Sequence, residues 1–169
     1  GLILRHDSHG VTSIIRSLVL PVACYPSLLH FFHSSAWSTD SLVTCWIRWV
    51  RRQLPAVTDS GRIVLIGDHT KTPKDGRCIP AVTTLHQESE TAGKPSFFRG
   101  HEWGCIAVLM TAGSKWFATP LSARIHNDSI ENGSRVRRLI AMAGHATEQM
   151  QAQAYLVLDA FFAVGPAFE

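Results

Sequence analysis

An α/β domain with a mixed sheet, preceded by a helical segment, is the architecture this sequence predicts. Three observations carry that prediction. Two short branched-apolar runs, Arg62 to Gly67 and Ala154 to Leu158, are each followed by an aspartate, Asp68 and Asp159. Between them lies a hairpin pattern, and between the hairpin and the second run lies an amphipathic helix pattern. A run of four or five branched apolar residues bounded by turn formers reads as a strand buried on both faces. A strand, a hairpin, a crossover helix and a returning strand make a mixed sheet, and the right-handed crossover rule sets the last strand parallel to the first. Asp68 and Asp159 are then expected at the same end of neighbouring strands, each ending its strand and close enough to share a metal ion.

Each element follows in chain order. From Val11 to Phe32 the residues Ile14, Ile15, Leu18, Val19, Leu28, Leu29 and Phe32 recur at helical spacing. Pro21 and Pro26 interrupt them, so two short helices are predicted. Ser38-Thr39-Asp40 supplies a polar cap ahead of Leu42, Val43, Trp46, Ile47, Trp49 and Val50, a third helix closed by Pro55. Arg48, Arg51 and Arg52 gather at its end, where cations suit the helix dipole as well as they would suit a phosphate. Strand patterning then appears at Ile63 to Ile66, Gly104 to Met110 and Trp116 to Leu121, with Thr111 to Ser114 as the hairpin turn. Asn127-Asp128 and Gly133 mark a loop, after which Val136, Leu139, Ile140, Ala143 and Ala146 to Met150 read as a helix, and Tyr155 to Leu158 as the last strand. The division expected is a helical segment over 1–58 and a sheet-containing domain over 59–169.

The 169 residues allow one domain with a fair core. Sparse charge and abundant apolar residues exclude a disordered chain. A net charge of +3 and nine histidines permit an anionic partner without demanding one. Cys24, Cys45, Cys78 and Cys105 are widely spaced with no C-x-x-C pair, so neither a zinc site nor a disulfide framework is indicated. Reduced thiols in a cytoplasmic protein are the economical reading. No apolar stretch approaches the ~20 residues needed to span a bilayer.

The loop expected after Asp68 is where binding chemistry concentrates. It contains Lys71, Lys74 and Arg77, and further on Phe97, Phe98, Arg99 and Trp103. Cations neutralise phosphates and rings stack on bases, so this mixture suits a nucleic-acid surface. Lys71, Lys74, Arg77 and Arg99 are the candidate phosphate contacts. Trp103 reads better as packing, and His69, His86 and His101 better as hydrogen-bonded structural residues than as metal ligands. A carboxylate pair such as Asp68 and Asp159 suits a hard cation, Mg2+ or Mn2+, which takes oxygen ligands and substrate phosphates. The plain alternative for each acid is a strand-end turn residue.

Gly67-Asp68-His69-Thr70-Lys71, His86-Gln87, Lys94-Pro95-Ser96-Phe97-Phe98-Arg99-Gly100-His101 and Leu158-Asp159-Ala160-Phe161-Phe162 together resemble the DDE transposases of bacterial insertion sequences. The likeness covers most of the chain from about Gly61 onward, and more loosely the helical start. It implies a ribonuclease-H-like fold, a divalent metal, and cleavage and strand transfer of DNA at transposon ends, with Asp68 matching the first acid and Asp159 the second. The family's third acid, a Glu on a later helix, has no match, because Glu169 stands too near Asp159. The resemblance therefore implies an incomplete, C-terminally truncated catalytic domain that is inactive alone, with no clear N-terminal DNA-binding module. Self-association is left open, and no membrane partner is expected.

Two other readings compete. A non-catalytic DNA-binding or regulatory remnant would bind DNA without metal-dependent nicking. An unrelated intracellular α/β enzyme with a small-molecule metal site would bind metal but show no salt-sensitive affinity for DNA.

Overall fold

The computed structural model describes residues 10–53, 55–76, 78–87, 96–127 and 134–162. The chain divides into two compact units, Gly1–Leu42 and Val43–Glu169. In the first, α1 (Val11–Ser17) and α2 (Cys24–His33) pack together, with Ser13 and Ile15 buried. Pro21 separates them as expected. Pro26, by contrast, lies in the first turn of α2, where a missing N–H costs no helical hydrogen bond. Trp37 stacks on Phe31 at 5.2 Å and its indole N–H donates to the Phe31 carbonyl. Helix α3 (Thr39–Gln53) begins where the Ser38 hydroxyl accepts from the Ser41 N–H.

The second unit holds a six-stranded sheet of β1 (Thr58–Asp59), β2 (Arg62–Pro73), β3 (Thr83–His86), β4 (Phe97–Ala112), β5 (Lys115–Ile125) and β6 (Ala154–Leu158), with α4 (Arg135–Met150) crossing between β5 and β6. Among the described strands, β6 alone runs parallel to its neighbour, β2; the other pairings are antiparallel. This mixed sheet with its helical N-terminal segment is the ribonuclease-H-like α/β class expected. Ser60 and Gly61, at φ of 50° and 77°, make the two-residue turn between β1 and β2 that a tight hairpin requires.

Two strands are longer than their apolar runs. β2 continues through Pro73 and β4 begins at Phe97, because the antiparallel ladder between them extends without a break from Leu65↔Val108 to Pro73↔Gly100. Within the expected loop between 68 and 104, residues 69–73, 83–86 and 97–103 are therefore strand, with β3 pairing to β4 at the sheet edge. Polar residues such as Thr70 and Thr72 hide this in the sequence: paired backbone, not apolar side chains, keeps them extended.

Ile47 and Val50 of α3, Ile63 and Leu65 of β2, Ile106, Val108 and Met110 of β4, and Val136, Leu139, Ala143, Ala146 and Met150 of α4 form one core on one face of the sheet. The α4 residues recur at intervals of three and four, one stripe of a helix. Ser134 caps its start by accepting from the Arg137 N–H, and Gln151 closes it in the left-handed region. Leu139 is fully buried, a contribution of about 1.5–3 kcal/mol from its transfer alone. A bulge opposite Ile106 and Ala107 leaves Leu121 unpaired in β5, and its side chain is buried in this core. Trp46 of α3 donates its indole N–H to the carbonyl of the adjoining Pro120 at 2.7 Å.

Candidate functional site

The register of β2 and β6 decides how the two acids meet. Ile63 to Gly67 pair in parallel with Ala154 to Leu158, ending at Gly67↔Leu158. Immediately after that last pair stand Asp68, still within β2, and Asp159, the first residue past β6. Asp68 does not end its strand, as the sequence reading expected. It lies inside β2 opposite Cys105, since β4 carries the ladder past it. Asp159 does end β6, followed by a 3-10 turn, Ala160–Phe162. Both acids are exposed. Alternation along β2 buries Ile63, Leu65 and Gly67 on the helix-packed face and turns Asp68 to the opposite one.

One carboxylate oxygen of Asp68 accepts the His69 N–H at 2.7 Å. Exposed oxygen donors from two neighbouring strands suit a hard divalent cation, which binds through one or two carboxylates and completes its shell with water and phosphate oxygens. Among the described residues no cluster of three or more His, Cys, Asp or Glu is arranged to hold a metal ion. The Cys105 thiol beside Asp68 is pushed up by burial and then by the Asp68 carboxylate. It stays protonated near neutrality and offers no soft thiolate ligand.

Behind the acids, on the helix-packed face, lies a polar cluster that the sequence reading missed. Glu102 is 3 % exposed, with Arg135 of α4 3.0 Å from one carboxylate oxygen and the His69 ring 3.7 Å from the other. Carrying the alternation of Ile106, Val108 and Met110 back through Gly104 reaches Glu102, so the phase of β4 was the available signal. Arg138 adds a hydrogen bond to the Ile125 carbonyl. The His69 ring meets Phe162 edge-on at 4.9 Å and its side chain is 8 % exposed. His101 is likewise buried, against the Pro80 carbonyl, and His86 packs on Phe97.

Burial pushes the His69 imidazole below its ordinary 6.5; Arg135 and His126 act in the same sense, while Glu102 and Asp68 oppose it. The folded state then binds fewer protons than the unfolded chain, so this contribution to stability is fully present above 6.5 and is lost as pH falls through the lowered folded value. Melting temperature measured from pH 7.5 down to 5.5 should fall, and His69→Gln should flatten that dependence. An equally steep fall in the variant would assign it to other groups.

The candidate phosphate contacts separate. Lys74 and Arg99 line one groove of about 480 Å3 with Pro73 and Asp75, and the Lys74 N–H donates to the Arg99 carbonyl. Lys71 instead directs its ammonium to the His86 carbonyl at 3.0 Å. Arg77 lies outside the described residues, as do Lys94 and Pro95 of the motif near Arg99. The four cysteines are free thiols, and no described helix is long and apolar enough to cross a membrane.

A family model described as DDE superfamily endonuclease matches residues 1–169. No curated protein and no solved structure matches the chain.

Proposed function

Because the chain belongs to the DDE superfamily endonucleases, we propose that it carries the chemistry of a transposase, metal-dependent cleavage and strand transfer of DNA at transposon ends, with Asp68 and Asp159 as metal-holding carboxylates. The observation that supports this reading most directly is the parallel register of β2 and β6, which ends at Gly67↔Leu158, the residues just before two exposed acids. Within 59–169, taken as the catalytic part, Asp68 and Asp159 would hold Mg2+ or Mn2+. Such an ion, when bound, neutralises charge on a phosphodiester and makes water or a hydroxyl a better nucleophile.

The chain's own residues do the rest. The His69 N–H orients the Asp68 carboxylate. Lys74, just past the end of β2, and Arg99, on β4, flank a groove at the far end of the β2–β4 ladder from Asp68, and there they can fasten a phosphate backbone. Lys71 and Arg77 complete the proposed basic set. Two carboxylates do not fill the shells of two ions, so in-line displacement by a two-metal route needs a further ligand beyond this pair.

The test is nicking of supercoiled plasmid with Mg2+, Mn2+ or EDTA. Metal-dependent nicking supports the catalytic reading, whereas salt-sensitive DNA binding with no nicking favours a binding or regulatory role. The groove has its own expected result. Replacing Lys74 and Arg99 together by glutamine should reduce the slope of log affinity against log salt by about 0.9 for each phosphate no longer neutralised. An unaltered slope would make both residues ordinary solvated cations.

A further inference from the structure

We propose that Asp68 and Asp159 are held in place by a lock on the opposite face of the sheet, made by Gly67 and His69 beside Asp68 and by Leu158 and Phe162 before and after Asp159; this rests on the metal-site reading above. In front of the acids, Gly67 pairs with Leu158. A Cβ placed on Gly67 would come within 2.5 Å of Leu158 Cδ2 and 3.2 Å of Ile106 Cδ1. The Leu158 side chain therefore occupies the space above the Gly67 backbone, and a larger residue there would force that side chain to shift.

Beyond the acids, the His69 ring stands edge-on to Phe162 at 4.9 Å with an interplanar angle of 79°. Phe162 is 3 % exposed, and its N–H donates to the Asp159 carbonyl at 2.9 Å. The turn that brings Phe162 under the sheet thus begins on Asp159 itself. His69 in turn donates its N–H to the Asp68 carboxylate. Its ring fits because Gly104 lacks a side chain: a Cβ there would lie 3.3 Å from His69 Nε2.

The contacts close a circuit. The Asp68 carboxylate is tied to the His69 backbone, the His69 ring to the Phe162 ring, and the Phe162 backbone to Asp159. Phe162 and His69 are positioning residues: they act on the site through the acids beside them. Aromatic edge-to-face packing prescribes a ring separation and angle in a way that general apolar burial does not, so it can set the relative placement of two strand segments.

The test is Mn2+ titration by calorimetry and by electron paramagnetic resonance, on the full chain, for wild type, Phe162→Leu, His69→Gln, the double variant, Asp68→Asn and Met150→Ala. Phe162→Leu keeps an apolar side chain but removes the ring edge. Changes just outside a metal's ligands cost about 10–100-fold in affinity, and a loss in that range is expected for each single variant. The double variant should lose little more than either alone, because the two rings form one contact. Met150→Ala, at the far end of α4, should lower the melting temperature and leave Mn2+ affinity unchanged; circular dichroism confirms which variants are folded.

If Phe162→Leu folds and binds Mn2+ as wild type does while Asp68→Asn does not, the lock is overturned and the metal reading stands. His69→Gln decides the same point should Phe162→Leu fail to fold. Equal loss in Met150→Ala would mean general loosening and also overturn the lock. Wild-type affinity in Asp68→Asn would remove the metal site itself, and the inference with it.

Discussion

Asp68→Ala and Asp159→Ala are each expected to abolish any metal-dependent nicking and to weaken Mg2+ or Mn2+ binding by at least about a hundredfold, the upper end of what outer-shell changes alone produce. A hard cation bound through two carboxylates loses half its protein oxygen donors when one acid is removed. Both side chains are exposed, so neither truncation opens a core cavity, and exposed substitutions of this kind usually shift stability by no more than about 0.5 kcal/mol. Titration calorimetry, with thermal melting as the control, separates a lost ligand from a lost fold. Unchanged metal affinity in both variants would show that the acids do not share a site.

Arg135→Met should give the largest loss of stability among the charge substitutions. Glu102 is almost fully buried between β2 and α4, and Arg135 is the cation placed 3.0 Å from its carboxylate. Removing one partner of a buried pair leaves an uncompensated charge and costs about 3–5 kcal/mol. The lower end applies, because Arg135 is 39 % exposed and water already screens part of the pair. Urea unfolding measures it directly. Replacing both residues together, Glu102→Leu with Arg135→Met, should recover much of the loss, since a packed apolar pair of similar volume is often neutral or better. A double variant as unstable as Arg135→Met would locate the effect in packing of the arginine stem.

Local pattern made the element order legible. Branched-apolar runs, a stripe at intervals of three and four on α4 and prolines between helices are properties of neighbouring residues, and each dictates backbone geometry without help from distant chain. The parallel return of β6 beside β2 was legible for a related reason: handedness of the crossover allows only one parallel return. The lengths of β2 and β4 were not. Thr70, Thr72 and His101 have no apolar rhythm, and they are extended because each strand supplies the other's backbone hydrogen bonds.

The cluster behind the acids was hidden for a stronger reason. Glu102, Arg135 and His69 are far apart in the chain, and a buried charge is tolerated only where an opposite charge and a gap such as that over Gly104 meet it in space. What the sequence determined by itself was the class of fold and the order of its elements, because periodicity and crossover handedness are local or topological rules. Only the tertiary structure decided which side chains meet Glu102 and His69, because burial, ring contact and ion pairing depend on distances that no spacing along the chain encodes.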